Sequence, residues 1–472
     1  MRSRTESLVP HPVRGKQLAA AVCAGAIALL AGTGTAAAQQ ASAIRVPVVV
    51  DTLENGLTLI IHEDHTAPIV AVNVWYHVGS GDEKPGRTGF AHLFEHLMFM
   101  GSQHAPYPEF DRRLEAAGAN NNGSTTFDRT NYYESGPANA LPLMLWLEAD
   151  RMGWMLPTMD EAKVDAQREV VKNERRQRVE NQPYGIASDH LPSMLYPAGH
   201  PYSWPVIGSM EDLSAASLED VKDFFRRYYA PNNASIVVAG AVKADEVKAL
   251  VRKYFSEIPR GPAIERPAPP PPTLRADTMV VLEDRVQLPR LYYAFPTVQG
   301  WAEDDAALQV AAEILTGSKS ARLTRTLVYD RQLASNVGAY QASKRFAGDF
   351  NIIATARPGV ALPEIQAVIH EEIARLAADG PTQRELEQAK NTIEAEFLNS
   401  IESIDTKADR LNSYYFRLGT PDAFQRDLDR YLAVSADDVR RVVQRYLTGP
   451  RVIISVVPQG KTELAATARV TP

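Results

Sequence analysis

His92, Glu95 and His96 lie in an apolar, helix-forming run, Gly89-Phe90-Ala91-His92-Leu93-Phe94-Glu95-His96-Leu97. Their spacing is H-x-x-E-H, the inverse of the commoner H-E-x-x-H metal motif. At about 3.6 residues per turn, positions i and i+4 share one helix face, so both imidazoles reach a single ion and Glu95 lies within a turn of each. Two neutral imidazoles leave a zinc ion short of ligands. A carboxylate from elsewhere would supply the third, leaving the fourth position for a water that the metal acidifies and Glu95 deprotonates. The competing reading, two structural histidines on an amphipathic helix, has to be weighed in a chain with ten His. Flanking sequence decides between them.

The motif helix is expected to begin near Thr88, after a loop of glycines and charges over residues 79–89. Before it, residues 57–62 and 69–77 read as strands, with Asn55-Gly56 as a turn. A second long helix is expected from Asp160 to about Glu180, offering Glu161, Asp165, Glu169, Glu174 and Glu180. Counting about 100° per residue from Val164, Gln167, Val170, Val171 and Glu174 fall on its apolar side, and Glu169 and Glu180 opposite. Glu174 is the best-centred candidate for the third ligand.

A proline-rich stretch over 259–272, including Ala268-Pro269-Pro270-Pro271-Pro272, reads as an extended linker. The parts on either side are related. Ser217-Leu218-Glu219-Asp220-Val221 recurs as Ser435-Ala436-Asp437-Asp438-Val439, an offset of 435 − 217 = 218, each an N-capped helix that leads into a β-branched strand. At that offset His92, Glu95 and His96 fall on Val310, Glu313 and Ile314, so the second copy lacks both histidines.

The first residues read as an export signal: Arg2, Arg4, Arg14 and Lys16, an apolar run over 18–31, and small residues at Ala36-Ala37-Ala38. Cleavage there leaves 472 − 38 = 434 residues, with no other segment long and apolar enough to cross a bilayer. The only cysteine, Cys23, would go with the signal, and as a lipid-anchor site it follows Val22, larger than such sites prefer. A thiol-free exported chain suits an oxidising compartment, the periplasm being the expectation. The formal charge of −7 becomes −7 − 3 = −10 once four basic residues and one acidic leave, and no basic stripe appears, which disfavours nucleic-acid binding.

With these landmarks the chain resembles the pitrilysin, insulin-degrading enzyme and mitochondrial processing peptidase family of inverzincin metallopeptidases. The resemblance runs from about Val48 to Gly460 and rests on the motif helix, Asn173-Glu174-Arg175-Arg176, His200-Pro201-Tyr202 and Tyr229-Ala230-Pro231-Asn232-Asn233. It implies an α+β fold of two homologous halves, each of α+β sandwich subdomains, forming a clamshell. The boundaries expected are 1–38 for the signal peptide, 45–258 for the zinc-binding half, 259–275 for the linker, 276–460 for the half without metal ligands and 461–472 for a tail. It implies one zinc per chain on His92, His96 and Glu174, 174 − 96 = 78 residues beyond the motif, and Glu95 as general base. Asn122, Gly123, Ser124 and Thr125 resemble the edge strand that binds substrate main chain.

Two departures carry consequences. Gln167 stands where the family commonly has a second glutamate; it can support the site by hydrogen bonding but cannot titrate. The Arg and Tyr that the family's second half usually offers to substrate and oxyanion are Val328 and Ser335 here. The expectation is a zinc endopeptidase for peptides or unfolded segments, the zinc subunit of a heterodimer whose homologous partner lacks zinc and supplies Arg and Tyr. The rivals are a metal-binding scaffold without turnover, and a self-sufficient monomer or homodimer in which Arg325, Tyr329 or Tyr340 substitutes. His104 reads as a loop residue and His62, His65 and His77 as structural or surface groups; His190 and His200 follow the Glu174 helix, and the resemblance implies a fold-supporting, not catalytic, part for His200.

Overall fold

The structure is a computed structural model that describes residues 43–266 and 268–467. The expected signal peptide lies outside the described residues. Runs of β-branched and aromatic residues form six strands in the first half: β1 Val49–Thr52, β2 Thr58–Glu63, β3 Ile69–Tyr76, β4 Asn120–Thr125, β5 Thr130–Pro137 and β6 Ala234–Gly240. They make one sheet in the order β1-β2-β6-β3-β5-β4. The second half has β7 Thr278–Asp284, β8 Arg290–Thr297, β9 Ala334–Ser343, β10 Gly348–Ala356 and β11 Val452–Pro458, in the order β7-β11-β8-β10-β9. Without β1 the two orders match strand for strand. In each sheet the first strand runs parallel to the last (β2 with β6, β7 with β11), and the other pairs are antiparallel.

The helices that bear on the site are numbered here in chain order: α1 Phe90–Leu97, α2 Leu141–Trp154, α3 Glu161–Arg175, α4 Ile186–Leu195, α5 Leu218–Tyr228, α6 Asp305–Thr316, α7 Gln383–Ser400, α8 Ile404–Leu418 and α9 Ala436–Val442. Local sequence signals set several of their ends. Ser217 and Ser435 each accept the backbone N–H three residues on, and Asp220 and Asp438 reach back in a capping box.

Each sheet has one face covered by its own half and the other by its neighbour. The first core joins β2, β3 and β6 to Phe90, Leu93, Phe94 and Leu97 of α1 and Val221, Phe224 and Phe225 of α5. On the opposite face of that sheet Ile60, Ala71, Val237 and Ala239 pack against Ala408, Leu411 and Tyr414 of α8, a second-half helix. Reciprocally, Ala187 and Leu195 of α4, a first-half helix, cover Val452, Ile454 and Val456 of the second sheet. These helices begin 404 − 186 = 218 residues apart, so the repeat exchanges equivalent helices between its copies. β6 is buried along its whole length as a result. The clamshell expected of the two halves is a closed one, because their facing surfaces are packed cores.

Buried polar groups fix the register of this interlock. Asn412 is fully buried, donating to Asn73 O at 2.9 Å and accepting from Ser235 Oγ at 2.7 Å. Tyr202, also fully buried, donates its hydroxyl to Asp128 and accepts the backbone N–H of Phe346 at 3.1 Å, while Asp128 accepts the backbone N–H of Arg345 at 2.9 Å. His200 packs beside Tyr202 and stacks on Tyr196, a supporting position. Among the described residues, the stretch between α-helical Phe255 and β7 contains neither helix nor strand, and Arg266 within it pairs with Asp82 at 2.7 Å. Cutting the linker proteolytically is therefore expected to leave the two fragments together. Native size-exclusion chromatography of nicked protein checks this; separation of the fragments without denaturant would contradict the interlock.

Candidate metal centre

α1 has only eight residues, too short to persist by itself, and its sequence begins without a capping side chain. Gly89 at its N-cap is left-handed, with φ +84°, and a Cβ there would meet Ile207 O at 2.6 Å. The helix is capped from outside. Buried Glu83 accepts Ala91 N–H at 2.7 Å and Gly89 N–H at 3.0 Å, and Asp212 accepts Thr88 N–H at 2.9 Å and its hydroxyl at 2.6 Å. A carboxylate at this end also complements the helix dipole. Nothing in local spacing marks Glu83 for this part.

α3 is placed by Asp160, which caps it by accepting Lys163 N–H at 2.9 Å, and by buried Val164 and Val171. Arg175 ties it to Asp189 of α4 through two hydrogen bonds, at 2.6 and 2.9 Å. Val170, expected on the apolar side, is 45% exposed; it sits at the edge of the stripe. Glu169 pairs with Lys172 on the outer surface, and Glu180 lies in a wider helical turn over Arg176–Glu180. Glu174 points inward, as the helical count requires.

The two helices bring three donors together. Glu174 Oε2 lies 3.2 Å from His96 Nε2 and 3.8 Å from His92 Nε2, and one ligand atom from each residue falls within 4.8 Å of the other two. A tetrahedral ion with bonds of about 2.0–2.1 Å sets its donors roughly 3.3 Å apart, so this donor set fits zinc. Burial, and then the neighbouring His96, bring His92 down to about 4, so it is a neutral ligand at ordinary pH. The hydrogen bond with His96 holds Glu174 below the usual carboxylate range. Its other oxygen, Oε1, pairs with Arg178 at 2.8 Å, an i,i+4 contact that helical spacing could have revealed. Glu95 accepts the Thr125 hydroxyl, and burial pushes its carboxyl up against that bond, poising it to take a proton.

These residues form the floor of a cavity of about 740 Å³ whose wall includes Asn122, Gly123, Ser124 and Thr125 of β4. β4 is the edge of its sheet. Asn122 Oδ1 accepts the Gly123 N–H at 2.8 Å, and by alternation the peptide groups of Asn121, Gly123 and Thr125 face the free side. Gly123 packs directly on the motif helix: a Cβ there would lie 3.1 Å from Glu95 Cγ and 3.2 Å from Phe99. Gln167 donates to Met100 Sδ at 2.9 Å and lines a neighbouring cavity with Glu95 and His96.

Every residue lining the metal cavity belongs to the first half. Val328 packs against the second core, and Ser335 donates to Thr355 O at 3.2 Å. Arg325 pairs with Asp330, and Tyr329 and Tyr340 are 49% and 47% exposed outside this wall. At the repeat-equivalent place a small cavity is lined by Glu313, Ile314 and, at 174 + 218 = 392, Thr392. One carboxylate is kept there and both imidazoles are gone. Of the other histidines, His104 lies in a loop on Asp150, His62 bonds Pro47 O, His77 is half-buried beside Ser235, and His65 is exposed.

The sequence and the fold match known proteins. A family model described as "Insulinase (Peptidase family M16)" matches residues 58–205, which include His92, Glu95, His96 and Glu174, and one described as "Peptidase M16 inactive domain" matches 215–393. The chain is 30% identical over 405 residues to a Helicobacter pylori protein named zinc protease PqqE, covering 84% of this chain and 89% of that one. It is 24% identical over 424 residues to an Arabidopsis thaliana protein named probable mitochondrial-processing peptidase subunit beta, covering 86% and 78%. A crystal structure of a protease from Helicobacter pylori superposes with a TM-score of 0.81 at 27% identity, over 88% of this chain and all of that one.

Glu83→Ala removes the outside cap of α1 and is expected to cost about 0.5–2 kcal/mol of stability, the usual range for a lost helix cap. Its midpoint of chemical denaturation should fall and its zinc affinity weaken. Gly123→Ala should leave zinc stoichiometry unchanged but weaken peptide binding, because overpacking of about 1–3 kcal/mol falls between β4 and Glu95. Zinc titration and fluorescence anisotropy with a labelled peptide check these outcomes.

Proposed function

The chain belongs to the M16 peptidase family, and on that premise we propose that it is a zinc-dependent endopeptidase acting on peptides or unfolded segments. The observation that carries this is the convergence of His92, His96 and Glu174, with Glu95 beside them, on the floor of a cavity edged by a strand with one free side. Zinc held by those three would supply a Lewis acid for the scissile carbonyl and for water. Glu95 takes the proton of the attacking water and returns it to the leaving amine. The free edge of β4 aligns an extended substrate by main-chain hydrogen bonds, which gives affinity with loose side-chain preference.

The partner in this reading is a homologous subunit without zinc that closes the cavity and supplies an Arg and a Tyr. It is supported by a cavity wall drawn from the first half alone and by Val328 and Ser335 where the resemblance expects those two groups. Relatives named as a beta subunit of mitochondrial-processing peptidase point the same way. Export to the periplasm rests on the basic and apolar opening of the sequence. Among the described residues no helix is long and apolar enough to cross a membrane.

Hydrolysis of quenched fluorescent peptides, with chelator, with zinc restored and with Glu95→Gln, tests the reading. Activity should follow zinc, and Glu95→Gln should lower it about 10²–10⁴-fold, the usual contribution of a general base, while still binding one zinc. Cleavage by the chain alone would remove the need for a partner. Cleavage only after adding a homologous subunit without zinc would support it, and silence in both would favour a metal-binding scaffold.

A further inference from the structure

The second half lacks metal ligands, yet one of its carboxylates holds β3 and β5, the strands behind the one that edges the cavity, and reaches that strand through Asn131. Asp409 lies on α8, which crosses the face of the first sheet that the second half covers. Its Oδ1 accepts Trp75 Nε1–H at 3.0 Å and Asn131 Nδ2–H at 3.3 Å, with Asn73 Nδ2 at 3.5 Å. Asn131 in turn accepts the Ser124 hydroxyl at 2.7 Å. A second route closes the ring: Arg129 lies 5.2 Å over Trp75 and donates to Ser124 O at 2.8 Å and Ser124 Oγ at 2.7 Å. Phe416 of α8 packs on Trp75 with ring centroids 5.9 Å apart. Ser124 sits between Gly123, packed on Glu95, and Thr125, whose hydroxyl donates to Glu95.

We infer that Asp409 is a positioning residue contributed by the ligand-free half, which fixes β4 for substrate pairing and, through Thr125, aligns Glu95. The inference rests on the peptidase reading for its consequence, though not for its geometry. An edge strand lacks one row of sheet hydrogen bonds. β4 is polar throughout, Asn-Asn-Asn-Gly-Ser-Thr, with no large apolar side chain to anchor it. A carboxylate against the neighbouring strand compensates by holding Asn131, which holds Ser124, since hydrogen bonds to ionised groups are about twice as strong as neutral ones. α8 itself does not depend on Asp409. Asn412, the Tyr415–Thr58 hydroxyl pair at 2.8 Å and Lys407 on Asp64 dock it independently.

The test compares the zinc-loaded full chain with Asp409→Ala and Asp409→Asn by hydrogen exchange and mass spectrometry, and measures peptide binding by anisotropy in the Glu95→Gln background. In Asp409→Ala, segments covering β4 and its turn to Asn131 should exchange about tenfold faster, while α1, α3 and α8 keep their protection. Peptide affinity should fall by about the same factor with zinc stoichiometry unchanged. Asp409→Asn keeps an acceptor oxygen and should restore most of both. Unchanged exchange in β4, or an equal loss of protection across α8 and the whole sheet, would overturn the inference. If the Glu95→Gln chain with Asp409 intact binds zinc but no peptide, the peptidase reading fails, and the exchange result still decides what Asp409 does.

Discussion

The docking of α1 against α3 is the contact on which the remaining structure depends. It must hold two imidazoles within reach of each other and of a carboxylate 78 residues away in sequence, on a helix too short to hold itself, and keep His92 neutral. Burial does part of this by disfavouring the charged form of His92. The rest comes from outside the helix: Glu83 at its start, the core packing of Phe90, Leu93, Phe94 and Leu97, and Arg175 locking α3 to α4. β4 is then packed on the helix beneath it, since even a Cβ at Gly123 would lie only 3.1 Å from Glu95 Cγ.

Duplication explains why that arrangement occurs once among the described residues. The second half keeps the strand order, the helix in the motif position and the exchanged covering helix. In place of imidazoles it has Val310 and Ile314, both buried. A buried polar ring without a partner costs free energy, and an aliphatic side chain removes that cost. The first half still bears it, because His92 Nδ1 is buried with no hydrogen-bond partner. A local rule broken at one copy of a repeat and repaired at the other marks where function is retained.

What was legible in the sequence was local. The H-x-x-E-H spacing, the choice of Glu174 by helical angle and the Ser217 and Ser435 caps depend on residues a few positions apart, where backbone geometry is fixed in advance. The 218-residue offset held down to the exchanged pair α4 and α8. Which sheet each would cover was not encoded in periodicity. Glu83 under α1, Thr125 on Glu95 and Asp409 on Asn131 were missed because each pairs residues from separate elements. Val170 was misplaced for the opposite reason: an angle near the edge of an apolar stripe does not say where the neighbouring helix stops.

The most direct measurement is a crystal structure of zinc-loaded protein with anomalous data at the zinc edge. The account predicts one strong peak per chain about 2.0–2.2 Å from His92 Nε2, His96 Nε2 and a Glu174 carboxylate oxygen, with the fourth position filled by a non-protein ligand within reach of Glu95. No peak there, a peak on other residues, or a fourth ligand from the protein itself would contradict it.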